Sequence, residues 1–143
     1  MTPIVLDASA VVEYLRWSAA GRDVADIVAT DEISLHIPHL CTVEVTHAFR
    51  SLSLRALIGE DRAEVALSDL ADLPATRHSA EPLLPRIWQL REQLTAYDAN
   101  YVALAEALDA TLLTADVRLA RSSGHAASIL IVGSRTGQRD GPA

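Results

Sequence analysis

Four carboxylates stand out among the 143 residues of this chain: Asp7, Glu44, Asp98 and Asp116. Asp7 closes the apolar run Ile4-Val5-Leu6, and Asp116 follows Thr111-Leu112-Leu113-Thr114 after a single alanine. Asp98 shares a helical face with Val102 and Ala105, four and seven residues on. Glu44 lies between Val43 and Val45, one helical turn after Cys41, at the border of an apolar stripe. Acids gathered at pH 7 repel one another and resist desolvation, so a cluster of them persists when a cation neutralises it. Oxygen-only ligands favour Mg²⁺ or Mn²⁺ over zinc. An ion held in this way lowers the pKa of a water, orients it for in-line attack on a phosphodiester and stabilises charge on the leaving group.

Each acid also has a purely structural explanation. Asp7 and Asp116 both precede helices and suit N-caps. Asp98 stands three residues after Thr95, as in a capping box with Asp in place of Glu, and its charge suits a helix N-terminus. Glu44 suits the solvated edge of its helix. Sequence spacing leaves these readings open beside the metal site.

The elements that must position the acids follow from hydrophobic periodicity. Ile4 to Leu6 reads as a buried strand, and Ala8 to Trp17 as a helix with Val11, Val12 and Leu15 inward. Arg22 to Ala29 predicts a second short helix, and Ile33 to Ile37 alternates as a strand does before Pro38. Leu40 to Leu57 predicts a long helix ended by Gly59, and Asp61 to Leu73 another stopped by Pro74. Ala75 to Ala80 fits either a short strand or a loop. Leu84 to Leu94 and Asp98 to Leu108 predict two more helices. Thr111 to Thr114 and Ile129 to Val132 predict strands around a short helix from Val117 to Arg121.

Strands alternating with helices predict an α/β fold with a mostly parallel sheet covered on both faces. In such sheets chemistry collects beyond the carboxyl ends of the strands, where Asp7 and Asp116 both fall. A single domain over residues 1–132 is expected, followed by a polar, Gly-rich tail at 133–143 that is expected to be mobile.

Half of the residues are hydrophobic, enough for one core without disulfide staples, and Cys41 is the single cysteine. The five histidines show no zinc spacing with it. The net charge of −7 has the wrong sign for a bulk basic grip on nucleic acid, so any such contact must be local. All twelve basic residues are arginine. This argues against a receiver domain or a haloacid-dehalogenase-like phosphatase, which need a lysine near the phosphate; the latter also needs a second Asp where Ser9 stands. Trp17, Trp88, Tyr97 and Tyr101 are expected in the core or at a dimer interface rather than stacking on bases. No apolar run has membrane-spanning length and no secretory start is present, so a cytoplasmic location is expected.

The stretches IVLDASAVVEYL, IPHLCTVEVTHAF, LTAYDANYVALAEAL and ATLLTADVRLAR, in this order and spacing, resemble the signature of the PIN domain. They resemble more closely the VapC toxins of bacterial toxin–antitoxin pairs, over nearly the whole chain. The resemblance implies a three-layer α/β/α fold with a five-stranded parallel sheet and a metal-dependent endoribonuclease using Mg²⁺ or Mn²⁺ on an RNA substrate. It further implies a homodimer and a cognate, VapB-like antitoxin that occludes the site, commonly with a basic or aromatic side chain. Asp7, Glu44, Asp98 and Asp116 would be the catalytic, metal-binding acids, with Asp7 and Asp98 as direct ligands. Glu44 and Asp116 would bind directly, through water, or position the nucleophile.

Ser9 and Thr114 fall where family members often place small hydroxyl residues beside the acids, although local backbone hydrogen bonding explains them as well. Arginines 16, 50, 55, 118 and 121 are candidates for contacts to RNA phosphates or an acidic antitoxin segment. Arg118 and Arg121 lead because they follow Asp116, against the alternative of solvated helix faces. A catalytically silent PIN-like scaffold and a DNA-directed nuclease are the competing functions.

Overall fold

The computed structural model of the chain describes residues 1–133. The opening apolar run forms β1 (Thr2–Leu6), followed by α1 (Ala8–Arg16), α2 (Ala19–Val28) and β2 (Ile33–Pro38). Next come α3 (Leu40–Leu54), α4 (Glu60–Ala71), β3 (Ala75–His78), a single 3₁₀ turn (Glu81–Leu83) and α5 (Leu84–Gln89). The chain then runs through α6 (Ala96–Leu108), β4 (Thr111–Thr114), α7 (Val117–Ala120) and β5 (Ser128–Ile131). The strands form one sheet in the order β3-β2-β1-β4-β5, with every pairing parallel. The ambiguous segment after Pro74 thus supplies the short edge strand.

Parallel strands joined by right-handed crossovers send α1 to α4 to one face of the sheet and the helices after β3 to the other. The path steps outward from β1 to β3, then returns across the sheet to β4. Beyond the carboxyl ends of β1 and β4 lies the crevice made by that reversal. Both strands are central and covered on both faces, which is why they read as continuous apolar runs. Val5, Leu6, Leu112 and Leu113 are fully buried, together with Val11 of α1 and Val102 of α6. Each such side chain contributes about 1.5–3 kcal/mol by its burial.

Several helix ends differ from the sequence expectation, each for a local reason. Helix α2 starts at Ala19 because Ser18 caps it, its Oγ accepting from the Gly21 amide at 3.0 Å. A Cβ on residue 21 would lie 1.9 Å from the Glu13 carbonyl oxygen, so only glycine lets α2 fold back against α1. Helix α3 stops at Leu54, and the chain turns through Ala56 at φ +56°. Gly59, expected to end that helix, instead forms the extended N-cap of α4. Helix α5 has six residues, and the segment after it buries Leu90 and Leu94 through hydrogen-bonded turns. Arg86 forks onto Glu106, with Nε and Nη2 donating at 3.1 and 3.0 Å, and ties α5 to α6.

Among the described residues no helix is long and apolar enough to cross a membrane. Of the expected tail, residues 134–143 lie outside the described residues; the Gly133 amide donates to Asp23 Oδ2 at 2.9 Å.

Candidate active site

Asp7 leaves β1 at the sheet's carboxyl edge and caps α1, its Oδ1 accepting from the Ala10 amide at 2.8 Å. Ser9 Oγ donates to the same oxygen at 2.7 Å, and Thr114 Oγ1 donates to Oδ2 at 2.5 Å. Thr114 Oγ1 in turn accepts from the Asp116 amide at 2.9 Å, and Ser9 Oγ accepts from the Ala115 amide at 2.9 Å. Both hydroxyls therefore direct their single proton at Asp7 while anchoring the loop that carries Asp116. Asp7 is only 5 % exposed, and burial raises its pKa. The donors from Thr114, Ala10 and Ser9 oppose that rise, whereas the negative charge of Asp116 adds to it.

Asp116 caps the short α7, its Oδ1 accepting from the Arg118 amide at 2.9 Å. Asp98 sits in the first turn of α6, where Thr95 does the capping: its Oγ1 accepts from the Asp98 amide at 3.1 Å. This leaves the Asp98 carboxylate to face Arg118. Arg118 Nη2 donates to Asp98 Oδ2 at 3.0 Å and to Asp116 Oδ2 at 3.3 Å, one nitrogen bridging two acids. The charges of Asp98 and Asp116 raise the pKa of the guanidinium further.

Glu44 projects from α3 toward α6, and its Oε1 accepts from the Tyr101 hydroxyl at 2.8 Å. Partial burial raises its pKa; the Tyr101 bond opposes the rise, and the charges of Asp98 and Asp7 add to it. Buried Tyr101 also lies against Cys41, whose thiol is pushed up to about 12 chiefly by burial.

The four acids therefore form a ring of electrostatic neighbours. Asp7 feels Asp116, Glu44 feels both Asp7 and Asp98, and Arg118 joins Asp98 to Asp116. As the side chains lie, with Arg118 and Tyr101 holding three of them, no three His, Cys, Asp or Glu groups among the described residues are arranged to ligate one ion.

The remaining candidates divide. Arg121 is exposed and forms no ion pair among the described residues, while Arg16 pairs with Glu13 at 3.6 Å. His36 Nδ1 lies 2.9 Å from His78 Nε2 across β2 and β3. Of the four aromatics expected in the core or an interface, Tyr101 is buried whereas Trp17, Trp88 and Tyr97 are exposed. The contact of Tyr101 with Glu44 was hidden in the sequence; its signal was the one-turn spacing from Asp98 on a common helix face.

The PIN domain family model matches residues 4–124. The chain is 43% identical over 133 residues to Ribonuclease VapC1 of Mycobacterium tuberculosis, covering 92% of this chain and 99% of that protein. Among solved structures it is similar to PAE2754 from Pyrobaculum aerophilum, with TM-score 0.64 and 26% identity over 90% of this chain and 83% of that one. VapBC2 from Rickettsia felis, solved bound to a DNA fragment from their promoter, shares the fold with TM-score 0.67 at 12% identity, over 92% and 99% of the two chains. An acid ring at the switch point of a five-stranded parallel sheet accompanies all of this, and the chain belongs to the PIN domain family, in its VapC branch.

Proposed function

We propose that this chain is a metal-dependent endoribonuclease and the toxin of a toxin–antitoxin pair, restrained by a VapB-like antitoxin. The observation that carries the proposal is the acid ring beyond β1 and β4, in a chain 43% identical to a protein named a ribonuclease. The donor set fits a hard divalent ion: carboxylate oxygens backed by two hydroxyls, with neither thiolate nor imidazole in the ring. Asp7 and Glu44 each feel neighbouring negative charge that a cation relieves. Asp7, Asp98, Glu44 and Asp116 would hold Mg²⁺ or Mn²⁺. The chemistry such an ion supplies when bound is activation of water and neutralisation of charge on the phosphoryl oxygens.

The protein's own part is positioning. Ser9, Ala10 and Thr114 fix both oxygens of Asp7, so its orientation is set before RNA arrives. Glu44, pinned through Oε1 by Tyr101, keeps Oε2 to accept a proton from the attacking water. Arg121, exposed at the end of α7, would contact an RNA phosphate. A basic side chain from the antitoxin would find its counter-charge in the same ring. Water attack with departure of the O3′ oxygen, which takes up a proton, leaves a 5′-phosphate and a 3′-hydroxyl, and the ribose 2′-hydroxyl is no nucleophile.

The test is incubation with structured RNAs and matched DNAs in Mg²⁺ or Mn²⁺, with chelator and D7N controls. RNA cleavage lost in both controls is the expected result. A 2′,3′-cyclic phosphate would overturn the mechanism, cleavage of DNA alone would reassign the substrate, and no cleavage across a broad panel would leave a scaffold.

A further inference from the structure

Building on that metal-site reading, we propose that Arg118 is a built-in counter-ion for the acid ring, occupying the place between Asp98 and Asp116 that a divalent cation must take by displacing it. The geometry points to direct competition rather than simple proximity. Asp116 commits Oδ1 to capping α7, which leaves Oδ2 as its outward oxygen, and that oxygen takes the guanidinium. Asp98 gives its own Oδ2 to the same nitrogen. Arg118 thus holds the outward oxygen of Asp116 and one of the two oxygens of Asp98.

The pairing is also built to be released. The Arg118 side chain is 71% exposed, over acids exposed by 20% and 35%, so the cation lies on the solvent side of the carboxylates. Solvent-facing ion pairs are weak and screened by salt, and a divalent ion gathering several carboxylates outcompetes them. Departure of the guanidinium costs no secondary structure, because the cap of α7 uses the Arg118 backbone amide, which stays on Asp116. The consequence is a lower apparent affinity: the free protein neutralises its rim acids with its own arginine, and an ion that displaces it binds at a correspondingly higher concentration. Once expelled, the guanidinium stands beside the ring and is available to an RNA phosphate.

The experiment is titration of RNA-free protein with Mn²⁺, reading free ion by electron paramagnetic resonance, for the wild type, R118Q and R121Q. R121Q removes the same charge from the end of the same helix without touching an acid. R118Q is expected to bind Mn²⁺ roughly three- to tenfold tighter than wild type, the scale set by losing two exposed ion pairs, while R121Q matches wild type. In chelator R118Q should melt below wild type, and Mn²⁺ should raise its Tm by more. Unchanged or weaker binding by R118Q overturns the proposal, as does equal tightening in R121Q, which would mean through-space charge alone. No saturable binding by any of the three would sink the metal-site reading itself, and this inference with it. Should R118Q fail to fold, R118K, which keeps the charge and loses the planar fork, must show intermediate tightening.

Discussion

The two halves of the acid ring are held in opposite ways. Asp7, between the ends of β1 and β4, is nearly buried and receives three hydrogen bonds from residues fixed by the strand ends and the first turn of α1. Asp98 and Asp116, at the rim, share one long side chain that lies in water. One half is over-determined and rigid; the other is adjustable. A cation site built this way would have a fixed corner and an adjustable side, which would limit the cost of reorganising four acids at once.

Substituting the fixed corner should have the largest consequence. D7N is expected to lose more than about 100-fold in RNA cleavage, since even outer-shell partners of a metal ligand are worth 10–100-fold. Its stability should move the other way. The folded-state pKa of Asp7 lies above the ordinary 3.8, so folding disfavours the ionised form at neutral pH. Wild type therefore gains stability as pH falls from neutral through that raised pKa toward the ordinary value. D7N should melt at or above wild type at pH 7, with its advantage shrinking on acidification. Thermal melts from pH 7 down to pH 4 check this. A variant less stable at neutral pH, or a gap that widens in acid, would mean that the hydrogen bonds outweigh desolvation.

Thr114 comes next, because it is fully buried and serves both halves: its hydroxyl donates to Asp7 and accepts from the Asp116 amide. T114V keeps the shape and strands two polar groups, at an expected loss of about 2 kcal/mol in a denaturant melt, within the range for buried unsatisfied groups. T114S should recover most of it. If valine and serine behave alike, the site does not depend on that hydroxyl.

The contrast between the halves also explains which parts were legible in the sequence. Asp7 and Asp116 could be read because strand, exit residue and helix cap are local. The capping explanation holds for both, since each carboxylate caps a helix, and each also neighbours the other acids of the ring. Asp98 could be read only as ambiguous, because Thr95 alone signals a cap and nothing nearby announces Arg118, twenty residues on. The end of α3 escaped because Ala56 adopts a left-handed conformation that side chains rarely favour, leaving no glycine at the turn itself. Tyr101 escaped because its partner lies 57 residues away, on a helix that only the tertiary fold brings beside α6.

That last contact sits between the rigid and adjustable halves and carries the third prediction. Y101F removes the donor to Glu44 Oε1 and leaves the ring's half-buried acid without its pin. Activity or Mn²⁺ affinity is expected to fall about 10-fold, the scale of an outer-shell partner. The variant also loses the hydroxyl's contact with the Cys41 thiol, but the Phe ring keeps the buried place of Tyr101, so a thermal melt close to wild type separates lost positioning from lost folding. Wild-type turnover in Y101F would place Tyr101 among the merely structural residues.

Ser9 should show the smallest effect, although it donates to the same carboxylate as Thr114. Its site is partly open, so water can reach both groups it serves, Asp7 Oδ1 and the Ala115 amide. Oδ1 also keeps the Ala10 amide as a donor when Ser9 is gone, whereas Oδ2 relies on Thr114 alone. S9A is therefore expected to lose under about 1 kcal/mol of stability, near the low end for a hydrogen bond replaceable by water. Its activity should stay within a few-fold of wild type. A double-mutant cycle of S9A with T114V sharpens the point: two hydroxyls fixing one carboxylate should couple, and losing both should cost more than the two single losses together. Strict additivity would mean that Asp7 is oriented by its backbone amide and the strand end, with the hydroxyls serving only the loop to Asp116.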